Sequence, residues 1–147
     1  MLELRRFTRQ DAAFIQNELY PGMSMDEALR LIGEWDLGVY QNRYFEMFAV
    51  ICGGTVVGCA SLFERSPSVA SAGIEIILSE RNKGFGAQAM TALIDLARQK
   101  GYRIMLDQLR KDNLASVRLH EKLGFESDGY CYRNQKNHET LLYIKPL

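Results

Sequence analysis

The chain has few cysteines and histidines, and they do not cluster. Among its 147 residues are three Cys and two His. No two of the cysteines, Cys52, Cys59 and Cys131, form a Cys-x-x-Cys pair. Because their number is odd, they cannot all be paired in disulfide bonds within the chain. Neither His120 nor His138 has companion Cys or carboxylate residues at metal-ligand spacing. We therefore expect no metal site, and we expect the cysteines to be buried thiols in a reducing compartment.

Long apolar runs and a net charge are also missing. No run of about 18 apolar residues could cross a membrane, and the N-terminus lacks the pattern of a secretory signal, so a cytoplasmic protein is predicted. Lys plus Arg and Asp plus Glu number 18 each, which argues against binding of nucleic acid through a generally basic surface. With 47% apolar and 24% charged residues, the chain predicts one folded domain over residues 1–147.

What the sequence does contain is apolar periodicity that changes along the chain. The pattern predicts the order β-α-α-β-β-β-α-β-α-β-β, with an antiparallel start and a β-α-β unit in the middle. This order predicts an α/β fold with a mixed sheet and a right-handed parallel crossover. The predicted later elements are strands 45–52, 55–63 and 74–78, a helix 84–100, a strand 103–109, a helix 113–123, and strands 125–134 and 138–145.

A glycine-rich turn lies between the strand 74–78 and the helix that follows. Gly84 and Gly86 have no Cβ atom, so backbone N–H groups can approach a ligand closely. The N-terminus of the helix carries partial positive charge, and Arg81 and Lys83 add full charges. The turn is thus a candidate cradle for a phosphate or pyrophosphate group.

Two kinds of cofactor fit such a turn. Gly84-x-Gly86-x-x-Ala89 formally satisfies the dinucleotide fingerprint, and Asp107 follows Gly84 by 23 residues. The architecture weighs against that interpretation, because a dinucleotide fold needs further parallel β-α-β units. Only 38 residues remain after Leu109, and they predict one helix and two closing strands.

The second kind of cofactor emerges when the next helix is considered. Arg81-x-x-Gly84-x-Gly86 resembles the acetyl-CoA pyrophosphate motif of the GNAT superfamily of acyl-CoA-dependent N-acetyltransferases. A second motif of that superfamily is matched by Asn113-x-x-Ser116, His120-Glu121-Lys122 and Leu123-Gly124-Phe125. The predicted order of elements is also the order of the GNAT fold, so the resemblance covers essentially the whole chain.

The resemblance implies a splayed parallel pair of central strands with the pantetheine arm of acetyl-CoA lying in the gap. The arm would pair with backbone at Ile76, Ile77 and Leu78, like an added strand. The residues implied to surround the pyrophosphate are Arg81, Lys83, Gly84, Phe85, Gly86 and Ala87. Asn113 would bind a pantetheine amide, and Ser116 matches a small position facing the cofactor.

The implied reaction is direct transfer of the acetyl group to a primary amine, either a small amine or a protein N-terminus. Many members place a Glu five residues before the motif Asn as a general base, but this chain has Gln108 there. Glu75 is the remaining acidic candidate for a catalytic base if its side chain faces the gap. Alternatively it is a structural carboxylate on the other face, because a one-residue register slip would reverse its direction.

His120 replaces the Tyr that family members use to donate a proton or hydrogen bond to the coenzyme sulfur. Neutral imidazole can donate one hydrogen bond, and we hypothesise a base-free, water-relayed reaction with His120 catalytic near the sulfur. A Ser116–His120 nucleophile–base pair would need an oriented acid that the sequence does not supply. The departures at positions 108 and 120 also raise an alternative function, a non-catalytic acyl-CoA-binding regulatory module.

The acceptor region is less defined. Aromatic residues surround the segment that family members use for the acceptor: Tyr20, Trp35, Tyr40, Tyr44 and Phe45. Trp35 also fits the apolar stripe of a helix, which favours a core position. Residues 1–70 hold 6 Lys/Arg and 9 Asp/Glu, and residues 71–147 hold 12 and 9. The basic half would suit CoA phosphates and the acidic half a cationic amine, while the resemblance leaves a homodimer open.

Overall fold

The computed structural model describes residues 2–147. The strands are β1 (Leu2–Arg6), β2 (Val39–Tyr40), β3 (Arg43–Cys52), β4 (Thr55–Ser66), β5 (Val69–Ile76), β6 (Ile104–Arg110), β7 (Cys131–Arg133) and β8 (Glu139–Pro146). The helices are α1 (Ala12–Phe14), α2 (Met25–Asp36), α3 (Phe85–Gln99) and α4 (Leu114–Lys122). A 3-10 turn, Arg9–Asp11, precedes α1, and a π-helical turn, Ile15–Leu19, extends it.

The strands form one mixed sheet in the order β1-β3-β4-β5-β6-β8-β7, with the short β2 paired to β3. Every pairing is antiparallel except that of β5 with β6, which α3 connects. The predicted mixed α/β fold is confirmed.

Hydrophobic cores lie on both faces of this sheet. Side chains alternate along a strand, and so Ala60 of β4 belongs to the core that also contains Met90 and Leu93 of α3. The adjacent Cys59 belongs to the other core, with Ile15 and Ile32 from the helical segment before β2. The sheet is thus covered by α3 on one face and by the α1–α2 segment on the other.

The parallel pair β5–β6 is joined over only two residue pairs, Val69 with Ile104 and Ala70 with Met105. Both strands continue beyond this point, to Ile76 and Arg110. Because β4 still pairs with β5 as far as Ile76 and β8 with β6 as far as Arg110, the sheet separates into two halves. This separation is the splay that the family resemblance implies.

Two predicted strands begin five or more residues away from their predicted starts. The strand expected over 74–78 begins at Val69 and ends at Ile76, and Leu78–Glu80 form a 3-10 turn. The early part of β5 was missed because Ala70, Ser71, Ala72 and Gly73 give little apolar signal. The strand expected over 125–134 is reduced to Cys131–Arg133 and a single bridge between Glu126 and Ile144.

No helix within residues 2–147 is long and apolar enough to cross a bilayer.

Candidate active site

A cleft of about 760 Å³ opens where β5 and β6 separate. Its walls come from β4 and β5, from the turn that precedes α3, from β6 and from α4. Volumes of this size are typical of small-molecule and cofactor sites. The sequence-predicted residues that line the cleft are Glu75, Ile76, Arg81, Gly84, Phe85, Gly86, Asn113, Ser116 and His120.

One wall of the cleft is an unpaired edge of β5. The Ala72 N–H donates to the Asp107 carboxylate across the gap, at 2.9 Å. Alternate residues of a strand direct their main-chain groups to the same side, so those of Ile74 and Ile76 also face the gap. The Ile76 carbonyl accepts a hydrogen bond from Arg81 Nε at 2.8 Å, whereas Ile74 is left available for a strand-like ligand.

The glycine-rich turn closes the far end of the cleft. Gly84 precedes the first residue of α3 and has a φ of +82°, a left-handed conformation that favours glycine. The first N–H groups of α3 have no acceptor within the helix, and Phe85 and Gly86 line the cleft. Arg81 also lines it and forms no ion pair within residues 2–147, so a positive charge and free amides meet there.

Four predicted cofactor residues lie outside the lining of the cleft. The Ile77 N–H donates to the Val57 carbonyl at 3.0 Å, so it is bound within the sheet. The Leu78 side chain is 79% exposed. Lys83 pairs with Glu80 at 2.9 Å, and Ala87 lies inside the first turn of α3.

Asn113 and Ser116 begin α4 at the opposite wall. The Asn113 side-chain oxygen caps the helix by accepting a hydrogen bond from the Ser116 N–H at 3.2 Å. This cap fixes the orientation of the amide and leaves its NH₂ group as a donor for a ligand.

His120 is buried at the base of the cleft beside Asp107. Nδ1 donates to the Ser116 carbonyl at 2.8 Å, because a carbonyl oxygen can only accept, and Nε2 lies 2.8 Å from Asp107 Oδ2. Nε2 and the carboxylate are therefore joined by a hydrogen bond. The two side chains are 5% and 3% exposed, and neither ring nitrogen is left free to bond a ligand.

Glu75 lies on the face of the sheet that α1 and α2 cover. Its partner on β4 is Cys59, which belongs to the core on that face. Burial, with a smaller contribution from the Glu75 carboxylate, raises the pKa of the Cys59 thiol to about 12. Cys59 is consequently a protonated thiol at neutral pH rather than a nucleophile. Glu75 itself is exposed and lines the cleft.

Three polar side chains gather near the point where β5 and β6 part. Arg65 of β4 donates through Nε to the Ser71 hydroxyl and through Nη2 to Gln108 Oε1 at 3.4 Å. The Ser71 hydroxyl donates in turn to the Leu106 carbonyl. Sequence reasoning missed Arg65 and Ser71. These residues lie on β4 and β5, and no local sequence pattern shows that their side chains reach groups of β6.

The aromatic residues expected around the acceptor do not line this cleft. Trp35 packs against Phe7, with ring centres 5.1 Å apart, in the core between α2 and the sheet. Tyr44 donates its hydroxyl to Glu46 at 2.6 Å. Trp35 is thus partly buried against that core, and the polar side chains of Arg65, Ser71 and Gln108 line the cleft where β5 and β6 part.

Residues 2–147 contain no group of three or more His, Cys, Asp and Glu side chains that could hold a metal ion.

A mixed sheet that splays at its one parallel pair, in front of a glycine-led helix, defines an acyl-CoA-dependent acetyltransferase fold. The Acetyltransferase (GNAT) family matches residues 10–125 of this chain. The chain belongs to this family. The single parallel pair also excludes the dinucleotide fold within the described residues, since that fold requires several parallel units.

Curated proteins that resemble this chain in sequence are acetyltransferases. It is 36% identical over 81 residues to the L-methionine sulfoximine/L-methionine sulfone acetyltransferase of Pseudomonas aeruginosa. The match covers 52% of this chain and 47% of that protein, so the chain spans about half the length of the curated relatives it matches.

Solved structures share the fold over nearly the whole chain. The ribosomal L7/L12 alpha-N-protein acetyltransferase RimL superposes with a TM-score of 0.78 at 22% identity, covering 99% of this chain and 90% of RimL. The putative acetyltransferase yncA of Salmonella typhimurium, solved with its cofactor acetyl-CoA, gives a TM-score of 0.74 at 20% identity, covering 100% and 94%.

Proposed function

We propose that this protein transfers the acetyl group of acetyl-CoA to a primary amine by direct transfer in a ternary complex. The observation that carries the proposal is the free edge of β5, which leads from the split in the sheet to the N-terminus of α3. Acetyl-CoA has an extended pantetheine arm joined to a pyrophosphate, and the cleft offers a complementary surface to each.

The residues present fit this cofactor. The N–H and carbonyl of Ile74 and the N–H of Ile76 would pair with the pantetheine amides. The N–H groups at the start of α3, with Arg81, would bind the pyrophosphate. The Asn113 amide, oriented by its own cap, would donate to a pantetheine carbonyl. Leu78, Lys83 and Ala87 would contribute through the backbone or from the rim, since their side chains do not enter the cleft, whereas the Ile77 N–H is already bonded to Val57 within the sheet.

Acetyl-CoA supplies the acetyl group as a thioester. During transfer a bond forms between the amine nitrogen and the acyl carbon, the carbon–sulfur bond breaks, the nitrogen loses a proton and the sulfur gains one. Gln108 lines the cleft but cannot take a proton. Glu75, a carboxylate exposed in the same cleft, would accept the amine proton directly or through water.

We propose that His120 acts by positioning. A direct hydrogen bond to sulfur would require breaking its contact with Ser116 or with Asp107. In its present contacts the imidazole fixes the Asp107 carboxylate, which in turn holds the Ala72 N–H of β5 at the start of the gap. His120 thereby sets the width of the split through Asp107.

The acceptor remains a primary amine of small or polypeptide origin. The names of the relatives include both kinds, an amino-acid derivative for the Pseudomonas aeruginosa enzyme and a protein N-terminus for RimL. A cytoplasmic location and a homodimer stay predictions.

The experiment that tests the proposal is a thiol-release assay with a broad panel of amines, combined with calorimetric binding of acetyl-CoA. We expect binding and amine-dependent release. Tight binding without release above hydrolysis would instead support the regulatory module. Absence of binding would overturn the cofactor assignment.

A further inference from the structure

Arg65 places an unneutralised positive charge in the wall of the cleft. It forms no ion pair with any carboxylate of residues 2–147, and its contacts are with the neutral side chains of Ser71 and Gln108. Its third guanidinium nitrogen, Nη1, has no acceptor among the described residues. The guanidinium carbon lies 5.5 Å from the centre of the Phe63 ring, which supports the group from one side.

A β-bulge positions this side chain. Glu64 pairs with Ala70 and Ser66 pairs with Val69, so the register of β4 and β5 shifts by one and leaves Arg65 without a partner on β5. Bulges redirect side chains and are frequent beside active sites. Here the bulged residue is directed to the cleft, where two other strands hold it in place.

The carboxylates that share the cleft with Arg65 are either hydrogen-bonded to other groups or too far from Arg65 to pair with it. Asp107 is bonded to His120 and to Ala72 N–H, and Glu80 is paired with Lys83. Glu75 follows Ser71 by four residues on β5, which corresponds to roughly 13 Å along a strand. The charge of Arg65 is therefore available to a ligand.

That ligand group is not a phosphate of the cofactor. Ser71, which holds Arg65, precedes Ile76 by five residues, or roughly 16 Å of strand, and the pyrophosphate turn lies beyond Ile76. Arg81 already supplies a guanidinium at that far end. Arg65 instead lies where the sheet begins to split, on the same face of β5 as Glu75 and beside Gln108.

We propose that the acceptor is a free α-amino acid, whose carboxylate binds Arg65. This proposal rests on the acetyltransferase function and names its substrate class. A guanidinium with open N–H groups binds a carboxylate with directional hydrogen bonds. Glu75 lies roughly 13 Å further along the same face of the strand, so it interacts with the ammonium group of this ligand through water rather than directly. A polypeptide N-terminus has its amine but no carboxylate nearby, so it would leave Arg65 unpaired.

The test compares amino acids with their own carboxamides. Each of a panel of α-amino acids is assayed against the matched α-carboxamide for kcat/KM at saturating acetyl-CoA. We expect the acids to be preferred at least tenfold. The Arg65→Gln variant should reduce that ratio to near one, Arg65→Lys should retain part of it, and the dissociation constant for CoA should stay within twofold in both.

Arg98→Gln is the matched control. It removes the same charge from the outer face of α3, where Arg98 pairs with Asp95, and it should keep the parental preference. Carboxamides or peptides that react as well as the acids, or a ratio that Arg65→Gln does not change, would overturn the proposal.

A second measurement separates this proposal from the function itself. Binding of the amino acids to the CoA-loaded protein is followed by calorimetry, with the carboxamides and Arg65→Gln in parallel. If no amine is acetylated but amino acids bind through Arg65, the transferase function fails and the ligand assignment stands. If acetylation occurs and amino acids show no Arg65-dependent binding or preference, only the ligand assignment fails.

Discussion

The two ends of the cleft are built from different parts of the polypeptide. At the α3 end the binding groups are main-chain amides, exposed by Gly84 and concentrated by the start of a helix. At the end where β5 and β6 part, the polar groups are side chains, Arg65, Ser71 and Gln108, drawn from three strands. A main-chain site depends on local conformation, whereas a side-chain site depends on how distant segments pack.

This difference has a chemical consequence. Main-chain amides recognise a feature shared by every molecule of the same cofactor, and few substitutions can change them. Binding groups that are side chains, in contrast, can be changed one at a time by single substitutions. We therefore expect substitutions at the α3 end to abolish cofactor binding, and substitutions at the other end to change acceptor preference while cofactor binding persists.

The largest expected effect is at the α3 end. Gly84→Asp imposes a side chain at a φ of +82° and adds negative charge where an anion should bind. We expect the dissociation constant for acetyl-CoA, measured by calorimetry, to rise about a hundredfold or more.

Gly101→Asp is the matched control for this variant. Gly101 has a φ of +89° just beyond the other end of the same helix, with no atom near the site of a new Cβ. It carries the same left-handed strain and the same added charge, far from the cleft. Equal weakening in both variants would contradict a phosphate site at Gly84.

The next effect concerns the pair at the base of the cleft. His120→Phe removes the partner of a buried carboxylate, and an unsatisfied buried group costs about 1–3 kcal/mol. We expect turnover at saturating acetyl-CoA to fall at least tenfold. His120→Gln, whose amide can still donate to Asp107, should stay within about threefold of the parent.

The comparison of these two variants separates the proposed roles of His120. If Gln and Phe lower turnover equally, the ring itself donates a proton to the sulfur. If His120→Phe leaves turnover unchanged, neither the direct nor the positioning role survives.

The smallest effect lies outside the cleft, at the start of the α1 segment. Burial by itself would raise the pKa of Asp11, but hydrogen bonds from Arg5 and Thr8 outweigh it and hold that pKa below the ordinary value of 3.8. The stabilisation is therefore present above about pH 3.8 and is lost as the pH falls through the lower native pKa.

Asp11→Asn should accordingly lower the free energy of unfolding by about 1 kcal/mol at neutral pH. The difference from the parent should vanish in acid, as followed by urea denaturation across pH, and the affinity for acetyl-CoA should not change. Asp95→Asn, which breaks an exposed ion pair with Arg98, should have almost no effect. A loss of equal size in that control would show that Asp11 acts only as a surface charge.

The cofactor end of the cleft and the order of elements could be predicted because both depend on local signals. Glycine spacing marks the turn, and the residue that caps α4 stands next to the helix it begins. The start of β5 was missed because its residues are small. Arg65 was missed because a register shift between strands leaves no mark in the sequence. The hydrogen bond between Asp107 and His120 joins a strand to a helix 13 residues later, and the apolar periodicity of the sequence gives no sign of it.

The narrow junction between β5 and β6 also bears on how the chain folds. The β3–β4 and β4–β5 connections are tight turns, so those antiparallel pairs can form from nearby residues at low entropic cost. Pairing β6 with β5 must bring together segments separated by the whole of α3, and only two residue pairs form between these strands. Non-local contacts of this kind form slowly. We therefore expect the antiparallel strands β3, β4 and β5 to assemble first and the β6–β8 half of the sheet to pack against them last. The cleft that admits a ligand would then lie at the boundary that forms last during folding.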